Sequence, residues 1–187
     1  ILAEIAKGSR NKALKGASDE LKEDAEIVLA AVTQNGLALK YAAGDCKEDE
    51  EIVLAAVTQN GLALRYAGEL KEDEDIATAA VTQNGLALKY AAGDLKKDED
   101  VVTAAVTQNG LALEFAADEL KEDREVVFEA VRQTWRAFEH VSDELRRDKY
   151  FVIAALACYR GYNDDEDGKD VLENVSDLRS DRDVVLV

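Results

Sequence analysis

The segment NDDEDGKDVLEN, residues 163–174, has the oxygen-rich side chains that a hard divalent cation requires. Setting Gly168 at the obligatory glycine of a calcium loop puts Asn163, Asp165 and Asp167 at its first three ligand positions, with Lys169 supplying a carbonyl. Half the pattern is met. The closing position, which calls for a bidentate glutamate, is Asn174, the nearest glutamate is Glu173, and the usual apolar position holds Asp170. Two readings stand, a weak Ca²⁺ site or a plain acidic insertion, and no other cofactor is implied. A second group is Trp135 with Arg132 and Arg136, residue types favoured at binding hot spots. Trp135 is read either as an exposed anchor for a partner or as a side chain folded over the core of the next unit, and the sequence leaves both open.

What positions these residues is a repeat. The stretch EIVLAAVTQNGLALKYAAGDCKEDE begins at Glu26 and recurs from Glu51, Asp75, Asp100, Glu125 and Tyr150, a step of 25 residues broken once by a step of 24. Such a period belongs to stacked solenoid units. The short step arises where AGEL, residues 67–70, replaces AAGDL, so the deletion is expected to trim a loop.

Asn35-Gly36 is a strong hairpin signal by itself. Yet Ile27, Val28, Ala31 and Val32 fall on one arc of about 140° at helical spacing, which predicts a helix before the glycine. Leu37, Ala38, Tyr41 and Ala42 predict a second helix after it, with Lys40 on the other side. Asn-Gly then ends the first helix through a left-handed glycine. Asp24, Asp49, Asp73, Asp98, Asp123 and Asp148 each stand just before a helix as its N-cap, and the acidic residues after most of them suit the positive end of the helix dipole. Alanine at Ala31, Ala56, Ala80, Ala105, Ala130 and Ala155 allows close backbone approach. The expected fold is all-α, a right-handed α-solenoid or compact superhelical arc of two-helix repeats, each unit held in shape by its neighbours. One domain, residues 1–187, divides into an N-terminal capping unit (1–25), tandem repeats (26–160), an acidic insert (161–170) and a truncated final unit (171–187).

Alignment of the units gives single residues their context. His140, the only histidine, takes the slot of Tyr41, Tyr66, Tyr90 and Phe115, and reads as an aromatic replacement at the edge of the core. Cys46 takes the slot of Leu21, Leu70, Leu95, Leu120 and Leu145, and reads as a buried thiol acting as a small hydrophobe.

Composition bounds the function. Asp and Glu total 40 against 23 Lys and Arg, a net charge of −17, which repels phosphate backbones and excludes nucleic acid as a natural partner. The longest apolar run, residues 150–159, is half the ~20 residues of a membrane span, so a water-soluble chain is expected, with a membrane complex still open as a partner. The chain begins at Ile1 and has no methionine, which leaves room for a removed targeting peptide and residence in an organelle; the compartment stays open.

The units, with their Gln-Asn-Gly and loop Asp in phase with the apolar positions, resemble a protist repeat family known only as a domain of unknown function, number four-one-one-six in its series. The departures are Gln133-Thr134-Trp135 in the fifth unit and Cys158-Tyr159-Arg160 in the sixth. The resemblance implies a helical-repeat protein of single-celled eukaryotes, microalgae among them, and carries over no catalytic residue. With no converging set of His, Cys, Ser or Lys, no enzymatic activity is expected. The leading expectation is a noncatalytic scaffold or linker binding other proteins, basic surfaces being the electrostatic complement, as a subunit of something larger. Alternatives are an accessory subunit of an organellar assembly, such as an algal photosynthetic complex, and a calcium-responsive binding module.

Overall fold

A computed structural model describes residues 14–162, with side chains placed as far as residue 157. Among the described residues all regular structure is helical. Six long α-helices, Ala25–Gln34, Glu50–Gln59, Glu74–Gln83, Glu99–Gln108, Arg124–Gln133 and Lys149–Tyr162, recur at the step of the sequence repeat. The chain is an α-solenoid.

Each long helix starts where its aspartate stands. The carboxylates of Asp24, Asp49 and Asp73 accept the amides of Ile27, Ile52 and Ile76 at 3.1, 3.0 and 2.9 Å. Asp98, Asp123 and Asp148 do the same in the later units. Each cap satisfies an amide that has no partner inside the helix, an effect typically worth ~1 kcal/mol. The predicted apolar arc is the buried one: Ile52, Val53, Ala56 and Val57 in the second long helix, and Val101, Val102, Ala105 and Val106 in the fourth, are 2% exposed or less. No polar or charged residue is buried among the described residues. Long helices pack side by side in chain order, so each is marginal alone and is fixed by the apolar face of the next.

The second element of the unit differs from expectation. It is a six-residue 3-10 helix, as in Gly36–Tyr41, Gly61–Tyr66 and Gly85–Tyr90, and not an α-helix. With about three residues per turn, positions i and i+3 eclipse, so Gly36, Leu39 and Ala42 line the core while Leu37 and Lys40 share the outer face. The expected grouping of Leu37 with Ala38 is therefore wrong, because it assumed the wider α-helical turn. Four or five residues of short helix, such as Gly44–Lys47 or Asp143–Arg147, then lead to the next capping aspartate in most units.

The role assigned to Asn-Gly also needs correction. Asn35, Asn60, Asn84 and Asn109 are extended, with φ between −152° and −154°, and none of the glycines that follow them has a positive φ. The chain turns without a left-handed residue. Instead each asparagine caps the 3-10 helix, Asn60 Oδ1 accepting the Leu62 amide at 3.1 Å. The glycine is demanded by the neighbour: a Cβ on Gly61 would collide with the carbonyl oxygen of Ala80 in the next long helix, and Gly36, Gly85 and Gly110 face Ala56, Ala105 and Ala130 in the same way. Left-handed glycines do occur, at Gly44 (φ +55°) and Gly68 (φ +53°), in the turns before the short helices.

Two sets of hydrogen bonds tie successive units. The amides of Gly36, Gly61 and Gly85 each donate to the side-chain oxygen of a glutamine one unit on, Gln59, Gln83 and Gln108, all at 2.5 Å. Backbone amides of Ala43, Ala92, Ala117 and Ser142 donate back to the carbonyls of Lys22, Lys71, Lys96 and Lys121 at 2.8 to 3.1 Å. At the shortened junction the Gly68 backbone lies against the Lys47 carbonyl without such a bond, which is where the one-residue deletion is absorbed. The deletion spares the long helix and the 3-10 helix, as its sequence position predicts.

Candidate functional site

The fifth unit, where Trp135 replaces glycine, was a sequence candidate for partner binding. Trp135 is 4% exposed, so it is not an exposed anchor. Its indole stacks on Phe138 with ring centroids 4.6 Å apart and planes 10° from parallel, and Phe138 fills the slot held elsewhere by Leu39, Leu64, Leu88 and Leu113. Arg132 is half-buried and its guanidinium binds Glu129 one turn earlier, Nε to Oε2 at 3.0 Å. Those bonds hold the Glu129 carboxyl below its ordinary range despite burial. Arg136 is exposed. The structure therefore does not bring the three together as one outward group: two are engaged in packing the unit, and one faces solvent.

Asn163, Asp165, Asp167 and Lys169 lie outside the described residues. Among the described residues no group of three His, Cys, Asp or Glu is placed to hold a metal ion. His140 is half-exposed at the end of its 3-10 helix, in line with its reading as an edge replacement for tyrosine. Cys46 is a buried free thiol whose Sγ approaches the Glu23 carbonyl at 3.4 Å, and burial, then the carboxylates of Asp49, Asp24, Asp45 and Glu23, push its pKa up. A thiol so held is a packing residue, with little thiolate available.

Two open grooves occupy equivalent positions at the two ends of the described array. One, of about 560 Å³, is lined by Glu122, Arg124, Glu144, Leu145 and Asp148. The other, of about 440 Å³, is lined by Glu23, Ala25, Asp45, Cys46 and Asp49. They are the same inter-unit cleft, bounded by one capping turn and the next. In the first, the Arg124 guanidinium pairs with Asp148 across the junction and stands over the Phe151 ring, 5.4 Å from its centroid. The Phe151 amide, followed by Arg124, holds the Asp148 carboxyl below the usual carboxylate range.

Beside this edge stand exposed acids at the starts of the long helices: Glu26, Glu50, Glu51, Glu74, Asp75, Glu99, Asp100 and Glu125. None of them makes an ion pair among the described residues. The repeat thus lays down carboxylates in register along one set of helix ends. Sequence reading treated them only as dipole partners.

The family question is settled by extent. The model of a domain of unknown function, DUF4116, matches residues 8–45, 49–96 and 98–146, more than two-thirds of the chain. The chain belongs to the DUF4116 family. The second and third matches each take in two long helices with the 3-10 helices that follow them, so one DUF4116 domain corresponds to a pair of the structural units. No curated protein and no solved structure matches the chain. No helix among the described residues is long and apolar enough to cross a membrane.

Proposed function

We propose that this DUF4116 array is a noncatalytic scaffold that binds other proteins through its acidic helix ends, with basic surfaces as the preferred complement. The observation that carries the reading is the row of exposed carboxylates, repeated in register along the solenoid and making no ion pair among the described residues. A rigid stack with a periodic charge row fixes the register of a partner and steers its approach. The groups with perturbed pKa are consistent with this role, since each is accounted for by a structural contact: Cys46 by burial, Glu129 by Arg132, Asp148 by its capping bond.

The test uses an oligolysine peptide as probe, followed by fluorescence anisotropy at low ionic strength. Reversing Glu51, Asp75 and Asp100 to lysine is expected to weaken binding at least about tenfold, and the same number of reversals at Glu69, Asp94 and Glu119 to weaken it far less. Equal losses in the two variants would reduce the effect to net charge and refute a specific acidic edge.

A further inference from the structure

The outer faces of the 3-10 helices carry the opposite chemistry. Because i and i+3 eclipse in this geometry, Leu37 stands with Lys40, Leu62 with Arg65, and Leu86 with Lys89. The three cations are exposed and the three leucines are partly so. Each cation lies over an aromatic ring: Lys40 Nζ is 5.7 Å from the centroid of Tyr41, Arg65 spans Tyr66 and the next unit's Tyr90 at 4.9 and 5.5 Å, and Lys89 Nζ is 5.6 Å from Phe115 of the following unit. Neighbouring 3-10 helices pack directly on one another, so these rungs form one continuous stripe.

The stripe is locally basic in a chain of net charge −17. Lys40, Arg65 and Lys89, like Lys47, Lys71 and Lys96, make no ion pair with a carboxylate among the described residues, but they alone of these six also rest on π faces. A cation held over a ring keeps its charge while its stem is ordered, so less side-chain freedom is lost when an anion binds. The stripe also has direction. Its fourth and fifth rungs carry Glu114 and Glu139 where the first three carry Lys or Arg.

We propose that this stripe, over the first three rungs, docks an extended acidic segment of a partner protein, with carboxylates on Lys40, Arg65 and Lys89 and apolar side chains on Leu37, Leu62 and Leu86. Charge complementarity selects the occupant, and the Tyr66, Tyr90 and Arg65 group at the centre of the stripe is of the residue types enriched at interface hot spots. Packed helices are spaced about 8–10 Å apart, close to the ~9 Å that one three-residue turn of a polyproline II segment advances, and that period of three keeps every third side chain on one face, so a carboxylate at every third position meets each rung. Glu114 and Glu139 repel the continuation of such a segment and fix where it ends. The proposal rests on the reading of the array as a protein-binding scaffold, but places a second partner on different residues.

The probe is a labelled peptide of repeated Glu-Leu-Ser, with repeated Lys-Leu-Ser as its counterpart. The wild-type chain is expected to bind the glutamate peptide, and the triple variant Lys40→Glu, Arg65→Glu, Lys89→Glu to bind it at least about tenfold more weakly. Leu62→Ser in the wild-type background is expected to weaken it by about threefold or more through loss of the apolar contact. Circular dichroism checks that each variant keeps its helices, and the neutral triple variant to glutamine substitutes if the reversal unfolds, with an intermediate loss expected. No binding of the glutamate peptide to wild type, or unchanged affinity in the triple variant, overturns the proposal. Capture of anionic lipid vesicles or an oligonucleotide through the same three residues, without capture of the glutamate peptide, overturns it as well. The Glu51, Asp75 and Asp100 reversal, measured with oligolysine, leaves these residues untouched, so failure of the stripe and failure of the acidic edge are separable.

Discussion

The central junctions and the fifth one solve the same packing problem by different means. Between central units the 3-10 helix reaches the next long helix backbone to backbone: Gly61 lies under the Ala80 carbonyl and its amide is held by Gln83. In the fifth unit Thr134 makes no side-chain cap bond, and Trp135, in the glycine slot, is buried on Phe138. Next to them Phe128 and Phe151 meet across this same junction at 4.9 Å, and Arg124 joins Asp148. Both kinds of junction produce a ten-residue helix followed by a six-residue 3-10 helix. Close backbone approach and aromatic filling are thus two ways of closing a junction between units of the same helical plan.

The largest effect that would sharpen this contrast is at Trp135. Were the fifth unit held like its predecessors, the indole would contribute nothing and truncating it would cost at most the modest clash of one methyl group. Trp135→Ala is expected instead to cost about 3–5 kcal/mol, read from urea unfolding, because the buried indole has nothing to replace it. Next comes Gly61→Ala, where the new methyl group meets backbone that cannot rotate away. A loss of about 1–3 kcal/mol is expected, localised by hydrogen exchange to the long helices on either side of that junction. Gly93→Ala, with open space around it, serves as control and is expected to be neutral or slightly stabilising. A harmless Gly61→Ala would break the comparison.

The smallest effect is that of acid. Asp148 has its pKa lowered in the folded chain, so the stability it contributes is present above its unfolded pKa and is lost as pH falls through the folded value. Glu129 acts in the same sense. Acidification below the ordinary carboxylate range is therefore expected to loosen the junction between the fifth and sixth units first. Asp148→Asn should flatten that part of the stability profile measured by pH-dependent melting.

Much of this architecture was legible in the sequence because it depends on local chemistry repeated in phase. The aspartate caps, the apolar arc of the long helix, the small alanines and the place of Cys46 in a leucine slot all follow from residue type and spacing. The 3-10 helix did not follow. Over six residues a period of 3.0 and one of 3.6 assign nearly the same apolar positions, and only the exposure of Leu37 beside Lys40 separates them. The glycine was misread for a related reason: Asn-Gly is a signal for local turn geometry, whereas this glycine answers to a carbonyl some twenty residues away in sequence. Gln59, Gln83 and Gln108 were passed over for the same cause, as polar residues whose partner sits in another unit. The cation stripe was hidden until the eclipsed geometry put Leu and Lys on one face. Trp135 remained ambiguous because an aromatic in a glycine slot suits either surface or core, and only its burial decides.

The glycine and glutamine ladder has a genetic corollary. Every central unit offers a donor amide toward its successor and an acceptor side chain toward its predecessor, so a duplicated segment of coding sequence brings its own fittings on both sides. Array length in such chains is free to change by whole increments through recombination, without any compensating substitution at the seams.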